Sequence, residues 1–244
     1  METHWHLREK DFFWNLPAEK KEFMSLATRK SLKKNDFIFY QEDPGKSCFY
    51  LETGSVKIFR VTSLGKEPIL FVRKAGEMFG LAEVIDAKER KCNAQALISS
   101  VLYEINKDNF EFLLSRYHSL SIKVILVLGQ RLRYLGEQIE NLMVSDVTTR
   151  ILKLLFNLCS NSLIDRASLN KPVIVPINLT QEQMASLTGS CQQTVSETLK
   201  GLQLSGLIKI TNKKITLLNP LQIINQIGLE HLFGHRSDSP PCKV

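Results

Sequence analysis

Residues 179–208 read LTQEQMASLTGSCQQTVSETLKGLQLSGLI, and this stretch decides the architecture. Thr180 stands three positions before Gln183, and Ser190 three before Gln193. That is the spacing of a capping box, in which a hydroxyl and an amide satisfy backbone groups at a helix start. Two short helices are therefore expected, with Gly189 in the tight turn between them. Met184, Ala185 and Leu187 give the first an apolar face, and Val195, Leu199 and Leu202 give the second one. The pattern is a helix-turn-helix.

On the side opposite Val195 and Leu199, the second helix, headed by Ser190, would expose Cys191, Gln192, Gln193 and Ser196 at its first turn. Gln bonds adenine edges bidentately and Ser bonds base or phosphate. Thr180, Gln181, Thr194 and Lys200 are better placed for phosphates, which position a protein on DNA without specifying sequence. Glu197 either accepts from cytosine or pairs with Lys200. IKITNKKITLL (208–218) follows as a hairpin, with Asn212, Lys213 and Lys214 forming a basic wing tip. From Asp146 to Pro220 eight basic residues stand against four acids, so the +7 net charge of the 244-residue chain leans toward this segment. That suits double-stranded DNA.

Upstream, from about Asp36 to Ile105, β-branched and aromatic runs (FIFYQ, CFYLE, SVKIFRV, ILFV) alternate with breaks at Gly45, Gly54, Gly65 and Gly76. This reads as a roll of short strands, ending with NAQALISSVLYEI (93–105) and giving way to helix at Asn106. Ile125, Leu128, Leu132, Leu135, Ile139 and Leu142 are then spaced 3, 4, 3, 4, 3, the a/d seam of a coiled coil, and a second copy of the helix is the natural partner. The alternative is an amphipathic helix packed on its own domain. VTTRILKLLFNLCS (147–160) reads as a further helix, 161–171 as a loop and PVIVPINL (172–179) as the entry to a short strand pair. The expected architecture is α+β: an effector-sensing β-roll of jelly-roll type over 10–120, a dimerisation helix over 121–145 and a winged helix-turn-helix over 146–220. Over 221–244 a C-terminal helix runs into a tail whose Pro and Ser content marks disorder.

Several classes are excluded. No run approaches the roughly 20 apolar residues of a membrane span, and Met1 to Lys10 carry charge and His where a signal peptide needs an apolar run, so the chain is placed in the cytoplasm. Cys48, Cys92, Cys159, Cys191 and Cys242 are scattered and odd in number, which argues for reduced thiols. No Cys-x-x-Cys pair occurs, so no zinc ribbon and no iron–sulfur cluster is expected. There is no Ser-His-Asp arrangement, Walker-type loop or HExxH, so the chain is read as no enzyme.

The order of parts resembles the Crp/Fnr family of bacterial regulators from about Phe12 to Asn219. FYLETGSVKIFRV (49–61), GEMFGLAEV (76–84), SDVTTRI (145–151) and GSCQQTVSETLKGLQLSGLI (189–208) carry the likeness. The resemblance implies a roll like a cyclic-nucleotide-binding domain, dimerisation through the long helix, reorientation of two recognition helices by a small-molecule effector, and contact with RNA polymerase. It places the effector site at Gly80, Leu81, Arg90, Lys91, Arg131 and Leu135.

The chain also departs from that pattern. Family members that bind cAMP use Gly-Glu and Arg-Ser where Gly80-Leu81 and Arg90-Lys91 stand here, and Thr-Ser where Leu135-Gly136 stand. Leu81 cannot hydrogen-bond a ribose hydroxyl, so cAMP is not expected as the effector. The family commonly carries Arg or Glu at the positions of Gln192 and Gln193 and Arg at that of Glu197, so a different target sequence is expected. Haem-sensing relatives use His or Cys ligands; His118, His4, His6 and Cys92 make no such set, and haem is not expected. Cys191, in the first turn of the recognition helix, is either a redox-sensitive thiol, its pKa lowered by the helix dipole, or a residue that merely fits a helix start. A nucleotide-binding module of a signalling complex is the alternative function, which would not need the helix-turn-helix.

Overall fold

The computed structural model describes residues 11–63, 65, 67–159, 162–163 and 167–228. The chain opens with helix α1 (Pro17–Leu26) and then strands β1 (Thr28–Leu32), β2 (Phe37–Phe39), β3 (Ser47–Thr53), β4 (Ser55–Phe59), β5 (Ile69–Lys74) and β6 (Met78–Phe79). Helix α2 (Leu81–Asp86) interrupts before β7 (Asn93–Ala96) and β8 (Ser100–Asn106). These strands make two antiparallel four-stranded sheets, ordered β1-β8-β3-β6 and β2-β7-β4-β5. The run read as one strand over 93–105 is thus two strands in different sheets, split at the Leu97–Ser99 turn.

Strand β3 shows why the roll is well packed. Its residues alternate between two cores, as the period of a strand dictates. Phe49 and Leu51 face the interior between the sheets with Phe39, Val56, Phe79 and Leu102. Cys48 and Tyr50 face outward, where Phe13 of the turn before α1 and Phe23, Phe110 and Leu120 of the flanking helices cover them.

Helix α3 (Lys107–Arg116) starts at Asn106, whose side chain accepts from the Asn109 amide at 2.9 Å. Helix α4 (His118–Val144) runs for 27 residues and has two apolar sides. Leu120, Val124 and Val127 are buried on the roll. Ile125, Leu128, Leu132, Leu135, Ile139 and Leu142 stay exposed in a stripe of their own. The helix therefore packs on its own domain with a different set of residues from the a/d set.

At Ser145 the backbone turns extended, and Asp146 starts α5 (Val147–Leu158) by accepting from the Thr149 amide at 2.7 Å. After a 3-10 turn at Ser168–Asn170 come β9 (Val173–Ile174), α6 (Gln181–Thr188) and α7 (Gln192–Leu204), then β10 (Ile208–Thr211), β11 (Lys214–Leu217) and α8 (Pro220–Ile227). β9 pairs with β11, so the hairpin is part of a three-stranded sheet, β10-β11-β9. Asn212 and Lys213 at its tip have φ of 50° and 64°. Two consecutive positive φ values make a type I′ turn, the form that matches strand twist. The tail from His231 onward lies outside the described residues.

Candidate nucleic-acid interface and effector cradle

Helices α6 and α7 pack through Met184, Ala185, Val195, Leu199 and Leu202, all within one core with Ile151 and Leu155 of α5. α6 begins with the expected capping box. Thr180 Oγ1 accepts from the Gln183 amide at 3.1 Å and Gln183 Oε1 from the Thr180 amide at 2.9 Å. The second expected box does not form as read: Cys191, not Ser190, is the N-cap of α7. The Ser190 amide is held by the preceding helix, donating to Ala185 O at 2.9 Å across Gly189, whose φ is +58°. That is the six-to-one bond of a Schellman C-cap, and it delays the next helix by one residue.

Cys191 Sγ takes over the capping role, accepting from the Thr194 amide at 3.5 Å and lying 3.1 Å from Thr194 Oγ1. Hydrogen bonds from Thr194, side chain first and then backbone, hold the thiol pKa below its ordinary value. Around it Gln192, Gln193, Glu197 and Lys200 are exposed, Ser196, Thr194, Gln181 and Ser190 are half-buried, and Thr180 is exposed. Of the two alternatives for Glu197, pairing with Lys200 is not what occurs: its Oε1 accepts from Gln193 Nε2 at 3.1 Å. Lys213 and Lys214 are exposed on the hairpin. The arrangement offers a rigid, capped helix with amide and hydroxyl groups on its open side and a cationic hairpin following it.

Of the residues that the resemblance assigned to an effector, Gly80, Leu81 and Arg90 lie together in the roll. Gly80, at φ +74°, and Leu81, 1% exposed at the start of α2, sit against the roll core. Arg90 is 2% exposed. Its Nη1 donates to Gly80 O at 3.2 Å and lies 3.4 Å from Glu83 Oε2, and its Nη2 donates to Ser47 O. The guanidinium also lies over the Phe39 ring at 4.3 Å. Burial lowers the Arg90 pKa, and Glu83 works against that. Glu83 thus supplies an anion from within the chain, while the Arg90 Nε is buried without a hydrogen-bond partner. Lys91 is exposed, while Arg131 donates to Met78 O from α4 and Leu135 lies on the open stripe.

His118 is an exposed first residue of α4, and half-buried Cys92 has its thiol pKa raised by burial; His4, His6 and Cys242 lie outside the described residues. Among the described residues no group of three or more His, Cys, Asp or Glu is placed to hold a metal ion. No single helix among them is long and apolar enough to cross a membrane.

One functional contact has no local signature. Ser186 of α6 bridges to the roll: its Oγ accepts from the Ile69 amide at 2.6 Å and donates to Glu67 O at 3.1 Å. Lys74 Nζ donates to Asn157 O at 2.5 Å. The partners are 83 to 119 residues apart, beyond any pattern of short spacing.

A capped helix pair followed by a basic β-wing defines a winged helix-turn-helix DNA-binding protein. Residues 149–223 match the family model of the Crp-like helix-turn-helix domain, and residues 29–117 that of the cyclic nucleotide-binding domain. The chain belongs to the Crp/Fnr family of transcription regulators and is a DNA-binding regulator, not an enzyme. It is 26% identical over 196 residues to the CRP-like cAMP-activated global transcriptional regulator of Mycobacterium tuberculosis, covering 78% of this chain and 86% of that one. It is also 26% identical over 191 residues to the global nitrogen regulator of a Synechocystis strain, covering 78% and 84%. In fold it is similar to FixK2 from Bradyrhizobium japonicum, with a TM-score of 0.71 at 18% identity over 82% of this chain and 96% of that one.

Proposed function

We propose that the protein acts as a homodimer on near-palindromic promoter DNA in the cytoplasm, influencing RNA polymerase there under the control of a small-molecule effector other than cAMP or of a redox signal. The observation that carries this is the pairing of two exposed features. The a/d stripe of α4 is open, and α7 presents Gln192, Gln193 and Ser196 beyond a capped start. A two-fold axis along α4 would give two copies of α7, set to enter successive major grooves about 10 bp apart. Gln192, Gln193 and Ser196 then read base edges, while Thr180, Gln181, Thr194, Lys200, Lys213 and Lys214 meet phosphates. Ser190 and Cys191 fix the start of α7, and Glu197 orients Gln193. cAMP is set aside because Leu81 offers no hydrogen bond and Arg90 is already answered by Glu83. Selection of bound duplexes from a random pool tests the reading. It should return an inverted repeat with half-sites about 10 bp apart. A single unrepeated half-site would overturn it.

A further inference from the structure

A cavity of about 450 Å³ lies where the roll, the long helix and the DNA-binding domain meet. One wall is β5 at Ile69–Phe71, a second is α4 from Tyr134 to Leu142, and α5 and α6 complete it. Much of the lining is apolar, with Phe71, Tyr134, Leu154, Phe156 and Leu187 contributing. The Phe71 and Tyr134 rings stand 6.3 Å apart, and burial pushes the Tyr134 pKa up to about 12, so its phenol is neutral at physiological pH.

Into this lining α5 brings two cations, Arg150 and Lys153, against one lining acid, Glu137, with Glu140 also acting on Lys153 from outside the lining. Lys153 Nζ donates to an uncharged acceptor, Asn141 Oδ1, and burial holds its pKa below the usual lysine range. Arg150 Nη1 donates to Leu142 O at 3.4 Å, while its Nε is buried without a hydrogen-bond partner. A buried donor left unmatched costs about 1–3 kcal/mol, more for a charged group, and an anion is the natural partner. Sites for small molecules are typically about 300–1,000 Å³, mainly apolar, with a few polar groups fixing orientation.

We propose that this junction binds a small amphipathic organic anion, a monocarboxylate whose acid group meets Arg150 and Lys153 and whose aromatic or branched body lies against Phe71, Tyr134 and Leu187. Of the effector residues assigned by resemblance, Leu135 lines this cavity and the other five do not. The site therefore shares Leu135 alone with the cradle that the resemblance implies. Leu135, Ile139 and Leu142 belong both to the cavity and to the open stripe, so in the dimer the partner helix borders it. An occupant touches α4, β5 and α6 together and so bears on how α7 is held; this consequence, not the binding itself, rests on the regulator reading.

The test uses the full chain with labelled Ile and Leu methyl groups and three probes: naphthylacetate, decanoate and the uncharged naphthylmethanol. Binding is followed by methyl NMR and calorimetry. Both carboxylates should shift the methyls of Ile139, Leu154 and Leu187 and leave those of Leu102 in the roll core unmoved. A charge-assisted hydrogen bond predicts about tenfold or greater loss of carboxylate affinity in Lys153→Gln and an equally large advantage of naphthylacetate over naphthylmethanol. Leu187→Trp should block both carboxylates, with thermal melting confirming that each variant folds; should it not fold, Lys153→Gln alone decides. No shift at the three methyls, equal binding of acid and alcohol, or unchanged affinity in Lys153→Gln each overturns the proposal. Retention of the selected duplex, measured separately, distinguishes the two readings. DNA binding without carboxylate binding sinks only this inference, whereas carboxylate binding without DNA binding sinks only the regulator reading.

Discussion

Leu132→Lys together with Ile139→Lys should convert the dimer to monomer. The two side chains keep 72% and 59% of their surface in the isolated chain. Full burial of a Leu or Ile is worth about 1.5–3 kcal/mol, so covering what remains contributes about 1–2 kcal/mol per side chain. A two-fold seam counts each twice, and the double variant forfeits about 4–8 kcal/mol. At roughly 1.4 kcal/mol per decade this raises the dimer dissociation constant by about three to six orders of magnitude. Repulsion between like ammonium groups facing each other across the seam adds to this, and added salt weakens that part. Sedimentation velocity at micromolar protein reads the result directly. Ile174→Lys supplies the control, since Ile174 is also 59% exposed but lies on the DNA-binding domain. A double variant that folds and still sediments as a stable dimer would refute the seam, as would equal dissociation in the control.

Gln193→Ala should cost about 1–3 kcal/mol on the selected duplex and relax discrimination at one base pair. Lys213→Ala should instead weaken all duplexes alike and reduce the salt dependence by about one phosphate contact; fluorescence anisotropy on selected and random duplexes separates the two. Calorimetric titration with cAMP should show no micromolar binding, since each unpaired polar group buried against Leu81 and Gly136 costs about 1–3 kcal/mol. The Asp146 carboxyl pKa is held below its ordinary value by the Thr149 amide it caps, so its charge stabilises the fold above the unfolded-state pKa. Asp146→Asn keeps the acceptor and removes the charge; its deficit in urea midpoint should be present at neutral pH and shrink as pH falls through the carboxylate range.

What could be read in advance was whatever short spacing encodes. The Thr180–Gln183 box, the α4 stripe and the hairpin each depend on residues within a few positions of one another, and each stands in the structure where its spacing put it. The Ser190 reading failed over a distance just as short, because two motifs competed for one residue. The C-terminal turn of α6 claims the Ser190 amide, and a cysteine, a weak acceptor seldom considered as a cap, takes the next position. Arg90 was harder still. Its sequence neighbours leave its surroundings open, and only the folding of Phe39, Ser47 and Glu83 around it shows that its guanidinium is held inside the roll.

The contact that joins the two halves was illegible for a physical reason that also explains its form. β5 ends the order β2-β7-β4-β5, so its far side is an open edge with unpaired backbone groups. Such edges invite pairing with other chains unless something covers them. Here α6 does so: Ser186 satisfies the Ile69 amide and Glu67 carbonyl at the start of the strand, and Lys74 at its end reaches Asn157 of α5. Val72 between them packs on the core of the DNA-binding domain. The same hydrogen bonds therefore protect the roll and hold the first helix of the DNA-reading pair. Because α7 is fixed to α6 through Val195, Leu199 and the Gly189 turn, any ligand that moves β5 or α4 must either break these bonds or carry α7 with them. The first helix of the DNA-reading pair is thus held to the roll through β5, an edge strand that α6 itself covers.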